Sequence, residues 1–274
     1  MAYYSPLFAT GSFSEQVVLV TGGGTGIGLA TARELVALGA KVVIAGRTQA
    51  KLDVARRILE DDGGEVLAQT VDIREPERVD ALVDATLARF GRLDVLVNNA
   101  GGQFPARAED MANKGWDAVI RNNLSGTFYM TSAVAKKAMI PQKSGRIVNI
   151  TATVARGFPG MAHTGAARAA VENLTKTLAV EWAPHGIRVN AVAPGNNIRS
   201  SGTAQYGEAM LELARKATPL KRLGTPVEVA RVIVFLASSF NDFITGSVFQ
   251  VDGGQSLWGD IWTIDEPPPA PPET

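Results

Sequence analysis

A short apolar run, Val17-Val18-Leu19-Val20, breaks directly into Thr21-Gly22-Gly23-Gly24-Thr25-Gly26-Ile27-Gly28. Residues 29–38 are then apolar at helical spacing, and Gly39 closes them. A strand that turns on glycines into a helix brings the backbone close enough to a pyrophosphate for the free N–H groups of the helix N-terminus to bind it. The pattern therefore predicts a strand–turn–helix unit holding a dinucleotide, with Gly22, Thr25, Gly26, Ile27 and Gly28 around the phosphates. It points to a source of redox chemistry and leaves the reaction open.

The same alternation continues along the chain. Runs rich in β-branched residues at 17–20, 41–45, 65–70, 93–97, 146–150, 188–192 and 247–251 read as seven strands. Amphipathic stretches at 25–38, 49–61, 76–90, 116–139, 165–183 and 226–238 read as the helices between them, with Gly39, Gly91 and Gly186 as helix stops. Such alternation implies right-handed crossovers and a parallel sheet covered on both faces. The expected fold is a single-domain α/β Rossmann-type doubly wound sheet of about seven parallel strands flanked by helices. Its expected limits are an N-terminal extension at 1–13, a body at 14–258 and a proline-rich tail at 259–274. Residues 196–218, small and polar with a helix near 204–217, are expected to form a substrate lid.

Composition narrows the function classes. Basic and acidic residues balance at 27 each, so no global field invites nucleic acid or an anionic membrane. The absence of cysteine removes disulfides, thiolate nucleophiles and thiolate metal sites, and no metal centre is expected. The N-terminus lacks a leader pattern, and the best apolar stretch, 229–239, is short and contains Arg231. The expectation is a cytoplasmic protein acting on a small molecule.

The spacing Gly22-x3-Gly26-x-Gly28 resembles that of the short-chain dehydrogenase/reductases. Asn98-Asn99-Ala100-Gly101 after the fourth strand, Asp72 after the third and Pro194-Gly195 after the sixth agree with it, so the likeness covers roughly residues 12–256. The resemblance implies that Asp72 and Ile73 meet the adenine end, that Asn98, Ala100 and Gly101 line the middle, and that Pro194 and Gly195 meet the nicotinamide end. Where an acid would bind the ribose of NAD(H), this chain has Ala45-Gly46-Arg47-Thr48. Arg47 suits a 2′-phosphate through charge-assisted contacts, which favours NADP(H).

The family's reacting groups are Ser, Tyr-x-x-x-Lys and an Asn one helix earlier. Asn123 takes the last position, but Thr151-Ala152-Thr153 stands where the serine is expected, with Thr164 for the tyrosine and Arg168 for the lysine. A guanidinium does not release its proton, and a threonine hydroxyl is far too weak an acid to replace a phenol. Thr164, Arg168 and Glu172 share one helix face, so Arg168 can hold ribose hydroxyls with Glu172 orienting it. His163 and Tyr206 are the substitute acids.

Hydride addition to an enoyl thioester asks less, because the carbonyl oxygen needs only hydrogen bonds. Asn99-Ala-Gly-Gly-Gln-Phe104, Lys114-Gly-Trp116, Gly126-Thr-Phe-Tyr-Met130 and His163-Thr-Gly-Ala-Ala-Arg168 resemble the peroxisomal trans-2-enoyl-CoA reductase and 2,4-dienoyl-CoA reductase branch. That likeness implies NADPH-dependent reduction of an acyl-CoA double bond. Glu172 stands where that branch can carry a tyrosine. Gln103, Phe104 and His163 are expected to contact substrate, and Arg199 is a candidate for a CoA phosphate. The segment from Phe243 to Gly254 resembles a subunit-contact strand and implies a homotetramer or homodimer. The alternatives are an alcohol or carbonyl oxidoreductase acting on an apolar, terpenoid-like substrate, and a cofactor-binding protein that has lost catalysis.

Overall fold

A computed structural model describes residues 9–199 and 207–257 of the chain. Seven strands form one sheet: β1 (Val17–Thr21), β2 (Lys41–Gly46), β3 (Val66–Thr70), β4 (Val95–Asn98), β5 (Gly145–Ile150), β6 (Ile187–Pro194) and β7 (Val248–Val251). They lie in the order β3-β2-β1-β4-β5-β6-β7, every pair parallel. This is the expected doubly wound Rossmann-type sheet. Strands β1 and β4 are wholly buried, as apolar runs covered on both faces must be.

Helices α1 (Gly26–Ala37), α2 (Gln49–Asp61), α3 (Pro76–Phe90), α4 (Asn113–Ile120), α5 (Gly126–Val134), α6 (Ile140–Gln142), α7 (Ala162–Glu181), α8 (Gly207–Ala217) and α9 (Pro226–Ala237) complete the described body. One apolar core lies between the sheet and α1, α2 and α9, and a second beneath α3, α5 and α7. The order of strands reverses between β1 and β4, and chains leaving these two neighbours diverge. That divergence opens a crevice at their carboxyl ends, where ligands bind in open α/β sheets.

Two expectations need correction. The helix anticipated over 116–139 begins at Asn113 and is not one regular helix, since π turns at Arg121–Ser125 and Ala135–Met139 separate α4, α5 and α6. Each π turn widens the coil by a residue, which rotates the following side chains and is invisible to a 3.6-residue periodicity. The helix anticipated from 165 begins at Ala162, so His163 and Thr164 lie in its first turn. The expected lid falls partly outside the described residues. Its helix is described from Gly207, whereas the calls on 1–8, 200–206, Tyr206 and the tail at 259–274 lie beyond them. Among the described residues no helix is long and apolar enough to cross a membrane.

One ionic contact ties the first helix to the last. The Glu34 side chain on α1 is wholly buried, and its nearest cation, Arg231 on α9, stands 3.7 Å away, too far for a good hydrogen bond. Burial raises the Glu34 carboxyl above its ordinary range, and Arg231 only partly offsets this. Arg231→Leu is expected to cost about 2 kcal/mol at pH 7 by stranding that carboxylate, while Glu34→Leu leaves stability unchanged or improves it. Because the folded-state value is raised, the Arg231→Leu penalty shrinks as pH falls and protonation removes the charge. Denaturant titrations at pH 7 and pH 5 check both signs.

Candidate active site

A cleft of about 630 Å³ opens at the carboxyl ends of the strands. Its floor is the glycine turn, and its walls carry Arg47, Thr48 and Lys51 at one end and Asn99 to Gln103, Thr151, Phe158, Arg168, Pro194 and Gly195 at the other. The turn is built for close approach. A Cβ on Gly28 would fall on the Gly22 carbonyl oxygen, and one on Gly22 would lie 2.8 Å from Asn99 Nδ2. Gly22 itself sits at φ +66°, where side chains strain the backbone. Thr21 staples the two diverging strand ends, its hydroxyl accepting the Asn99 and Ala100 N–H groups at 3.0 and 2.9 Å. Asn99 returns a hydrogen bond to the Thr21 carbonyl at 2.9 Å. This cradle fits a dinucleotide pyrophosphate.

The residues expected around such a ligand separate into two groups. Gly22, Thr25, Gly26, Ile27, Arg47, Ile73, Ala100, Gly101, Arg168, Pro194 and Gly195 line the cleft. Asp72, Asn98 and Gly28 stand behind the lining. Asp72 is clamped by Arg74, whose Nε and Nη2 donate to the carboxylate at 2.9 and 2.5 Å, and this holds the carboxyl down near about 2. Asn98 on β4 is buried and its amide donates to Thr131 Oγ1 and Asn149 Oδ1 at 2.7 and 2.9 Å, tying α5 to β4 and β4 to β5. Lys51, in the first turn of α2, lines the same end of the cleft as Arg47. Sequence reading missed it, although it stands only four residues after Arg47.

The π turn at Arg121–Ser125 delivers Asn123, wholly buried, to the loop after β4. Its Oδ1 accepts the Gly102 N–H at 3.1 Å and its Nδ2 donates to the Gly102 carbonyl at 2.8 Å. Asn123 therefore fixes the loop that carries Gly101. A Cβ on Gly101 would strike the Arg168 guanidinium and lie 2.8 Å from Asn123 Oδ1, so only glycine lets that arginine reach across. Arg168 Nη1 donates to the Ile150 carbonyl at 2.7 Å. Burial lowers Arg168 to about 10, which leaves it cationic at neutral pH.

Glu172 does not orient Arg168. It faces the residue just after β5 instead, its carboxylate accepting the Thr151 hydroxyl at 3.3 Å, one turn below the guanidinium. The Thr151 hydroxyl also lies 3.3 Å from the Val192 carbonyl oxygen. Burial raises the Glu172 carboxyl above its ordinary range, with Thr151 and Lys176 pulling the other way. Thr151 thus joins a carboxyl whose proton affinity is raised by burial to the cleft wall. The face shared by Thr164, Arg168 and Glu172 was legible, but the residue after β5 that Glu172 meets was not.

Thr164 is wholly buried, with its hydroxyl 3.2 Å from His163 Nδ1. His163 is also wholly buried and stacks edge to face with Phe104, ring centroids 4.6 Å apart. Thr153 is half-buried, its N–H donating to the Pro194 carbonyl at 3.3 Å. Gln103 lines the cleft, as does Phe158, which the sequence did not single out. Arg199 is exposed beside the cleft, 3.6 Å from Glu208.

Comparison with known proteins adds three findings. The family model described as enoyl-(acyl carrier protein) reductase matches residues 22–256. A probable 2,4-dienoyl-CoA reductase of Bacillus subtilis is 38% identical over 247 residues, covering 89% of this chain and 97% of that protein. A 3-oxoacyl-[acyl-carrier-protein] reductase of Synechocystis is 43% identical over 252 residues, covering 90% and 99%. Among solved structures, a citronellol catabolism dehydrogenase of Pseudomonas aeruginosa superposes with a TM-score of 0.84 at 45% identity, covering 92% of this chain and 100% of that one.

Proposed function

Because this chain belongs to the short-chain dehydrogenase/reductase family, we propose that it is an NADP(H)-dependent oxidoreductase that reduces a carbon–carbon double bond of an enoyl-CoA-type substrate. The observation that carries this reading is the environment of Thr164. The hydroxyl standing where a phenol would serve alcohol–ketone exchange is buried against His163, one turn from a guanidinium that keeps its proton. Reduction of a double bond conjugated to a thioester needs no phenol. NADPH, when bound, supplies the hydride. Thr151, backed by the Glu172 carboxyl, is the cleft-wall hydroxyl suited to protonating the carbon beside the thioester. Arg168 is suited to holding the nicotinamide ribose, and its tie to Ile150 pre-orders it.

Two cations and no acid at the end of β2 favour NADP(H) over NAD(H). Arg47→Ala is expected to raise the NADPH Kd about 10- to 100-fold and to leave NADH within about twofold. Equal weakening of both, measured by fluorescence titration, would remove the phosphate contact. The large exposed side chains Phe128 on α5, Val180 on α7 and Phe243 ahead of β7 support a homotetramer or homodimer. Sedimentation showing a monomer at micromolar concentration argues against it.

The direct test offers purified protein NADPH with trans-2-enoyl-CoA and 2,4-dienoyl-CoA substrates of several chain lengths. No consumption of NADPH overturns the reading. The likeness to the citronellol-related structure favours one second reading, an oxidoreductase on an apolar, terpenoid-like alcohol or carbonyl compound. Oxidation of citronellol with NADP⁺ would select it. Tight NADPH binding without turnover on either panel marks a protein that has kept the cofactor and lost catalysis.

A further inference from the structure

The loop after β5 leaves the cleft and comes back to it. It runs from Thr151 to Met161, just ahead of α7, and Phe158 near its end is half-buried and lines the cleft. The loop is tied down around that residue. The Gly157 N–H donates to the Val154 carbonyl at 2.9 Å and the Met161 N–H to the Phe158 carbonyl at 3.1 Å. The Ala106 N–H, from the loop after β4, donates to the Gly160 carbonyl at 2.8 Å. These bonds fix the backbone on both sides of Phe158, so the loop sets the direction of its side chain.

Gly165, in the first turn of α7, is the seat of that side chain. A Cβ there would come within 2.9 Å of Phe158 Cβ, closer than side chains pack. The neighbour is the root of a side chain and not its tip, so relief would require the loop itself to move. Glycine weakens a helix, and this close approach is the packing reason for one inside a 20-residue helix. Gly165 lies three residues before Arg168 on the same side of α7, so the helix presents the ring and the guanidinium to one cleft. Phe158 is the only aromatic side chain among the described lining residues, and it has no polar atom to offer a ligand. What the ring gains on binding is the cover of its apolar surface.

We propose that Phe158, seated on Gly165, determines specificity for chain length, its ring being the wall on which the substrate carbons beyond the reacting pair lie. Its end of the cleft is the one away from Arg47 and Lys51, and Thr151, the hydroxyl suited to protonating the substrate, opens the same loop. A substrate whose reacting carbons stand at Thr151 therefore lies alongside the loop that carries the ring. The substrate class is then a medium- or long-chain acyl group and not a short one. The proposal rests on the double-bond reading for the reacting pair and for Thr151, and the two fail in different ways. One methylene laid on a single apolar wall is worth about twofold in affinity, half the effect of full burial.

In the unaltered protein, kcat/KM with NADPH is expected to be about 10- to 30-fold higher for trans-2-octenoyl-CoA than for crotonyl-CoA. Phe158→Ala is expected to bring that ratio to within about threefold of unity and Phe158→Leu to keep most of it, with the NADPH Kd within about twofold in both. Gly165→Ala, which keeps the ring and shifts its loop, is expected to lower the ratio as well. A parent ratio near unity, or a Phe158→Ala ratio within about twofold of the parent's, overturns the proposal. Should Phe158→Ala not fold, Gly165→Ala and the parent's ratio still decide. No turnover of either thioester, with citronellol oxidised in preference to isoamyl alcohol and that preference lost in Phe158→Ala, overturns the double-bond reading and keeps the chain contact. If neither panel turns over, the Kd of octanoyl-CoA against that of butyryl-CoA on the NADP⁺ complex gives the same ratio, and equal values overturn the proposal.

Discussion

Glu172→Gln is expected to slow turnover about 10²- to 10³-fold while leaving NADPH affinity within twofold. The substitution preserves shape and the hydrogen bond to Thr151, and removes only the releasable proton. Thr151→Val, which keeps the side-chain shape and deletes the hydroxyl, is expected to cost a similar factor, and Thr151→Ser to recover most of it. If the two side chains hand on one proton in series, the double variant is no slower than the worse single one. The pH profile carries the sign. Burial raises the Glu172 carboxyl, opposed by Thr151 just after β5 and Lys176 one turn along α7. The protonated form is the active one, so kcat falls as pH rises through the Glu172 range, and that limb disappears in Glu172→Gln. Independent, additive losses, or a limb that survives in Glu172→Gln, would take proton supply away from this pair.

What the sequence made legible is what local spacing encodes. Strand period, glycine stops and the turn at Gly22 to Gly28 are written in contiguous residues, so the parallel sheet and its cofactor cradle followed from them. Lys51 was hidden because a lysine on an exposed helix turn is unremarkable until the cleft is seen to end beside it. The π turn that delivers Asn123 to Gly102 leaves no mark on hydrophobic periodicity. Glu172 was read from its own helix and paired with Arg168 at i−4. The partner it has, Thr151, lies 21 residues away just beyond β5, and the packing of α7 on the sheet decides that contact. Asp72 was read as meeting the adenine end of the cofactor, and Arg74 two residues on occupies both of its carboxylate oxygens. For Lys51 and Glu172 the missing information was tertiary, namely where the cleft ends and what packs against α7.

Gly28→Ala is expected to weaken NADPH binding by about 100-fold or more, whereas Gly24→Ala in the same turn leaves it within about twofold. The two differ only in what a methyl group would meet. At Gly28 it falls on the Gly22 carbonyl oxygen and lies 2.6 Å from Asn99 Nδ2. Neither neighbour can yield cheaply. The first is backbone, and the second is held by hydrogen bonds to the Thr21 and Gly22 carbonyls. Relief requires α1 to move off β1, which takes the helix N-terminus away from the phosphates it must reach. Overpacking against backbone of this kind costs about 3 kcal/mol, equivalent to about two decades of affinity. At Gly24 a Cβ meets Lys51 and Leu52 at 3.5 to 3.6 Å, ordinary contact distances, and the position has no positive φ to strain. Isothermal titration of both variants, with circular dichroism to confirm that each is folded, separates steric approach from chain flexibility as the reason for the glycines. Equal losses at the two positions would mean that the turn needs flexibility throughout. A loss confined to Gly28 means that the cradle is shaped by one contact, the helix lying against the Gly22 carbonyl.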